Sequence, residues 1–264
     1  MHLRMLLSAC LVICGLGHGR AAEPQIKDMA FQSDFDQTEQ RYVLIRPGQR
    51  SDDAVDLLVA LHGHGSDRWQ FVNGQIAEAK AARATADKYR LIFVSPDYRA
   101  KTSWMGPAAE ADLVQIITDL KQRHPIRKVI ISGASMGGSS ALTFAALHPE
   151  LTDGVVSLNG TANHLEYERF QDAIAASFGG SKVTNATEYK KRSAEYWPER
   201  LTMPIAMTVG RKDTVVPPQS VQRLAAILIQ LERSVLLIDR PEGGHSTTYE
   251  DALEAFEFVM GRVR

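Results

Sequence analysis

"KVIISGASMGG" occupies residues 128–138. Valine and isoleucines lead into Gly133, a serine follows at 135, and a second glycine stands at 137. The apolar run predicts a buried strand over 128–133, and the stretch after Met136 predicts a helix ending near His148, before Pro149. A serine between two glycines at a strand-to-helix junction is the G-x-S-x-G pattern. There the sharp turn lifts the hydroxyl above the sheet, and the glycines lack the side chains that would collide. The helix that follows aims its first amides at the same point. The competing reading is a glycine-rich turn that only packs a helix against a strand.

Moving outward, apolar runs alternate with helical stretches. Strands are expected at 41–45, 56–63, 90–96, 154–160, 204–210 and 234–239. Most are continuous in apolar character, as in parallel strands covered on both faces. Helices are expected at about 74–88, 107–123, 218–232 and 249–262; in the second, Leu113, Ile116, Ile117 and Leu120 fall on one face. Such alternation predicts an α/β fold with a doubly wound, mostly parallel sheet and helices on both faces. Residues 160–200 break the rhythm and are expected to form a small helical excursion.

Composition is that of a globular chain, with 44% hydrophobic and 23% charged residues in 264. The net charge of −1 offers no basic surface for nucleic acid. The first residues differ: Arg4, then an apolar run to about Leu16, then Gly19 and Ala21, read as a signal peptide over 1–21. The run is too short for a spanning helix. Cys10 in "LSAC" resembles a lipoprotein box but has almost no apolar segment before it, so anchoring there is not expected. The expectation is a secreted or periplasmic protein with no stable membrane partner and one domain over 22–264. Cleavage would remove both cysteines, Cys10 and Cys14, and leave a net charge of −3.

A serine hydroxyl needs a base beside it. Of eight histidines, His245 in "RPEGGHSTTYE" lies between the last strand and the last helix, where loops of an open parallel sheet converge. Asp213 in "GRKDTVVPP" follows the strand at 204–210 and supplies an acid in the chain order Ser, Asp, His; Asp239 is its rival. "ALHGHGSD" leaves the strand at 56–63 and offers the His64 amide, with Met136, as oxyanion donors; Gly65 lets the chain bend. His62 and His64 as metal ligands are the weaker alternative, because no acidic cluster accompanies them.

With these motifs assembled, the chain resembles an α/β-hydrolase over about residues 40–263, carried by "LHGHG", "GASMGG", "GRKDTVVP" and "GGHST". Residues 189–228 further resemble the catalytic domain of the prolyl oligopeptidase, or S9-like, group, and "GASMGG" is similar to acetylxylan and feruloyl esterases. The resemblance implies Ser135 as nucleophile, Asp213 as acid and His245 as base, with His64 and Met136 as oxyanion donors and no metal or organic cofactor. About twenty residues between leader and first strand cannot hold a β-propeller, whose blades need about 40 residues each. The expected activity is therefore hydrolysis of carboxylic esters, on a small molecule or a polysaccharide. A small serine peptidase or amidase is the alternative, and a binding protein on a hydrolase scaffold the non-enzymatic one. Trp104, Gly65 and Asn159 are expected substrate contacts; for Trp104, packing under its own loop is an equal alternative.

Overall fold

The computed structural model describes residues 24–48 and 54–263. The leader and both cysteines lie outside the described residues. The strands are β1 Gln25–Gln32, β2 Glu39–Arg46, β3 Val55–Leu61, β4 Ile92–Pro96, β5 Ile126–Ala134, β6 Gly154–Leu158, β7 Ile205–Gly210 and β8 Val235–Arg240. The α-helices are α1 Gln70–Asn73, α2 Ala77–Tyr89, α3 Pro107–Arg123, α4 Met136–Leu147, α5 Gln171–Phe178, α6 Ala186–Lys191, α7 Gln219–Gln230 and α8 Tyr249–Val263. The strands form one eight-stranded sheet in the order β1-β2-β4-β3-β5-β6-β7-β8. β1 and β2 run antiparallel to their neighbours, and β3 to β8 are parallel. This is the α/β-hydrolase sheet.

The unbroken apolar runs have a direct cause. Successive strand side chains point to opposite faces, and both faces here are covered. Leu57, Val59, Leu61, Val129 and Ile131 pack in one core with Leu113 and Ile117 of α3, Phe144 of α4 and Leu224 of α7. Leu58, Ala60, Ile130 and Val156 pack in the other, with Ala79 and Ala82 of α2 and Phe256 and Val259 of α8. Alanines on α2 let it lie close beside α8. The helix expected from residue 74 begins instead at Ala77, because Gly74 ends the short α1 turn and a Cβ there would stand 2.1 Å from Gln70 O.

β1 is the element the sequence did not announce. It is an edge strand, largely exposed, with only Met29 and Phe31 partly buried against the core. Its stability comes from pairing with β2 along its whole length, a long-range cause that leaves no apolar run behind. Residues 160–200 do form a helical excursion, with α5, α6 and short 3-10 turns around Ile174, Phe178 and Tyr189. Among the described residues no helix is long and apolar enough to cross a membrane.

Candidate active site

β5 ends at Ala134 and α4 begins at Met136, so Ser135 alone makes the turn. Its backbone sits at φ 57°, ψ −119°, a conformation a non-glycine residue holds only under strong constraint. Two constraints are visible. The Ser135 amide donates to Leu158 O of β6 at 2.8 Å. The two flanking glycines let backbones meet: a Cβ on Gly133 would stand 2.4 Å from the Gly137 carbonyl, and one on Gly137 would stand 2.0 Å from Leu61 O.

His245 lies in the loop between β8 and α8, and its Nε2 is 2.9 Å from Ser135 Oγ. Its Nδ1 is 2.7 Å from Asp213 Oδ2. Asp213 follows β7; its other oxygen, Oδ1, accepts the amides of Val215 and Val216, each at 2.8 Å. Burial raises the Asp213 pKa, but hydrogen bonds from His245, Val216 and Val215, with the nearby imidazole, more than offset it. The carboxyl therefore lies below its ordinary value and stays ionised at neutral pH. Asp239, the rival acid, faces elsewhere: it takes Arg211 Nε at 3.0 Å and Gln222 Nε2 at 3.0 Å.

The turn after β3 comes up beside the serine. A Cβ built on Gly63 would lie 3.8 Å from the Ser135 Cβ. The Gly63 amide is taken by Gln70 Oε1 at 2.7 Å, and that of Gly65 by Lys101 O at 2.8 Å. Between them, the His64 amide has no acceptor among the described residues. It and the Met136 amide at the head of α4 are the donors free to meet a developing oxyanion.

The other expected site residues take different places. Trp104 has no exposed surface and donates its indole N–H to His64 Nδ1 at 3.2 Å. It is packed against His64, Tyr167 and Phe170, residues outside its own loop, rather than lining open space. Gly65, at φ 82°, is the bend of the turn. Asn159 is buried, and its amide is committed to the histidine loop: Nδ2 donates to Gly244 O at 3.3 Å, and Oδ1 accepts the hydroxyls of Thr208 and Thr247. The metal alternative for His62 and His64 finds no geometry. Both ring nitrogens of His62 face backbone carbonyls, Gly63 O at 2.8 Å and Asp97 O at 3.1 Å. Among the described residues, no group of three or more metal-ligating side chains converges.

Sequence reading missed the braces. Tyr167 Oη donates to Val215 O at 3.1 Å and Arg169 Nε to Thr214 O at 2.7 Å, so the excursion holds the loop that carries Asp213. Glu78 of α2 accepts the Thr247 amide at 2.9 Å and steadies the segment after His245. These are long-range contacts to backbone atoms, and no local pattern marks them.

Residues 101–259 match the model of the prolyl oligopeptidase family, more than half of the chain. The chain belongs to the prolyl oligopeptidase family. Solved structures agree on the fold. A candidate dipeptidyl aminopeptidase IV from Bacteroides ovatus superposes with a TM-score of 0.72 at 16% identity, covering 93% of this chain and 36% of that one. S-formylglutathione hydrolase (FrmB) from Staphylococcus aureus gives 0.69 at 17% identity, covering 92% of this chain and 100% of that one. A thermostable esterase gives 0.68 at 19% identity, covering 90% of this chain and 63% of that one. This member of the prolyl oligopeptidase family thus spans about a third of the Bacteroides chain and the whole of the FrmB chain. A search of curated proteins returns no match. The peptidase-like and the esterase structures share this chain's fold.

Proposed function

We propose that the protein hydrolyses carboxylic esters through an acyl-enzyme on Ser135. The observation that carries this reading is the hydrogen-bonded line Ser135–His245–Asp213, with contacts of 2.9 and 2.7 Å. His245 Nε2 takes the hydroxyl proton as Oγ attacks the ester carbonyl. Ionised Asp213 holds the imidazolium that results. The tetrahedral oxyanion lies against the His64 and Met136 amides. Collapse breaks the C–O bond, His245 protonates the departing alcohol, and a water activated by the same imidazole releases the acid and restores the serine. The substrate is a small-molecule or polysaccharide-linked ester. The leader over residues 1–21 makes export part of the same proposal.

A second reading, cleavage of aminoacyl amides or peptides by the same groups, is favoured by the match to the prolyl oligopeptidase family. The two separate in an initial-rate comparison of p-nitrophenyl acetate, butyrate and octanoate, methyl ferulate, acetylated xylan and an aminoacyl p-nitroanilide. Ester turnover that disappears in Ser135→Ala, while the variant keeps its fold, supports the proposal. Amide turnover at comparable rates moves the assignment to a peptidase. Failure of Ser135 to react with a fluorophosphonate returns the protein to a binding role on a hydrolase scaffold.

A further inference from the structure

Besides the Gly63–Gln70 bond, four hydrogen bonds fasten the turn that carries the proposed oxyanion donor to residues 97–104. Tyr98 Oη donates to His62 O at 2.6 Å, the His62 ring reaches Asp97 O, and the Gly65 amide donates to Lys101 O. The fourth tie joins side chains: Trp104 Nε1 to His64 Nδ1 at 3.2 Å. An indole N–H can only donate, so His64 Nδ1 must present its lone pair. The neutral ring then carries its proton on Nε2. Burial also pushes the His64 pKa below the ordinary imidazole value, which favours that neutral form.

Both rings of this pair have aromatic neighbours. Phe170 lies tilted against the His64 ring with centroids 4.1 Å apart, and Tyr167 against Trp104 with centroids 5.4 Å apart. The backbone bears a cost for the arrangement. Trp104 and the next residue, Met105, both hold positive φ, at 46° and 57°. The pair is pinned from behind by Arg192, itself buried, whose Nη1 donates to Met105 O at 2.6 Å.

We propose that Trp104 is a positioning residue: its indole N–H, bonded to His64 Nδ1, locks the imidazole in one tautomer and so fixes the His64 backbone amide beside Ser135. Trp104 acts through His64 and does not touch substrate. The inference rests on the ester-hydrolase reading of the site. It goes beyond that reading by giving the buried tryptophan a part in placing the amide, where packing alone would ask only for an apolar ring.

The test is a double-mutant cycle on Trp104→Phe and His64→Ala, read as kcat and KM on p-nitrophenyl acetate. Phenylalanine keeps the aromatic packing and removes the donor. Trp104→Phe is expected to lower kcat about tenfold with KM within about twofold, since a misplaced donor loses part of what a deleted one loses. In the His64→Ala background, the same change should lower kcat no further. Additive losses, or a raised KM with kcat unchanged, would overturn the inference. If Trp104→Phe does not fold, the imidazole nitrogen resonances of His64 in the unaltered protein decide it. The neutral Nε2–H tautomer at about pH 7 is expected, and an Nδ1–H tautomer overturns it. That spectrum needs no substrate, so a silent wild type in the ester assay, which would sink the hydrolase reading, stays distinct from failure of this one.

Discussion

Asp213 meets His245 through Oδ2 alone, at 2.7 Å, while its Oδ1 is held by the amides of Val215 and Val216 at 2.8 Å. One oxygen thus anchors the carboxylate to its own loop and the other orients the imidazole. An amide at this position would present the wrong group to one partner or the other. Asp213→Asn is therefore expected to lower kcat by about 10⁴-fold. Asp239 is tied to Arg211 and Gln222 and makes no contact with the histidine, so Asp239→Asn should change kcat by less than about threefold. Steady-state rates on one ester settle the ranking, and the reverse order would reassign the acid.

The histidine loop has its own support in Asn159. Its side chain bonds Gly244 O, next to His245, and the hydroxyls of Thr208 and Thr247. Its backbone stands at φ 50°, which asparagine tolerates better than most residues. Asn159→Ala should cost about 2 kcal/mol of stability in urea unfolding, because buried partners lose their bonds. It should also lower kcat about tenfold through a loosened His245. KM for a small ester should stay within about twofold. A large rise in KM at constant kcat would instead make Asn159 a substrate contact.

The two glycines around the serine sit where a side chain has no room, whereas Gly261 has open space. A Cβ on Gly137 would press into the Leu61 carbonyl, with the oxygen at 2.0 Å and the carbon at 2.7 Å. Neither β3 nor α4 can yield without moving the sheet, so Gly137→Ala should destabilise by about 3 kcal/mol or more. Gly261, inside α8, has nothing within 4 Å of the same construction. Gly261→Ala should stabilise by about 0.5–1 kcal/mol through helix propensity alone. Denaturant midpoints for the pair would expose an error in the packing of the elbow.

How much of this was legible in the sequence follows from the range of each cause. The helix at 107–123 was readable because Leu113, Ile116, Ile117 and Leu120 repeat at helical spacing, and the observed α3 has those bounds. The parallel strands were readable because cover on both faces makes them apolar throughout. The glycines at 133 and 137 were readable because a local turn demands them. β1 was not, since an exposed edge strand is held by its partner rather than by its own side chains. Trp104 was visible as a large loop residue, read as a substrate contact or as packing under its own loop. That its indole is fully buried and bonded to a histidine forty positions earlier is set by the excursion folding over it. Tyr167 and Arg169 support the acid loop through backbone carbonyls, and carbonyls leave no mark in sequence.

Two histidines away from Ser135, the half-buried His148 and the fully buried His164, respond to pH in opposite directions. At His148, burial lowers the pKa, but hydrogen bonds and charge from Glu110 and Glu150 more than offset it and raise the net value. Its contribution to stability is therefore complete below the unfolded value of about 6.5 and fades as pH rises through the folded one. At His164, burial lowers the pKa to about 3, with the Arg192 charge adding to the effect. The unfolded chain takes up a proton below about pH 6.5 that the folded chain refuses until about pH 3. Stability should then fall with acid by up to about 1.4 kcal/mol per pH unit from this group. His164→Gln should flatten the acid side of the stability–pH curve, and His148→Gln should lower stability at about pH 5 more than at about pH 8. Urea unfolding of the wild type and both variants across that range measures each slope. If His164→Gln left the acid slope unchanged, His164 would have to be protonated in the folded state, with its charge met by a group other than Thr143, whose Oγ1 lies 3.3 Å from Nε2.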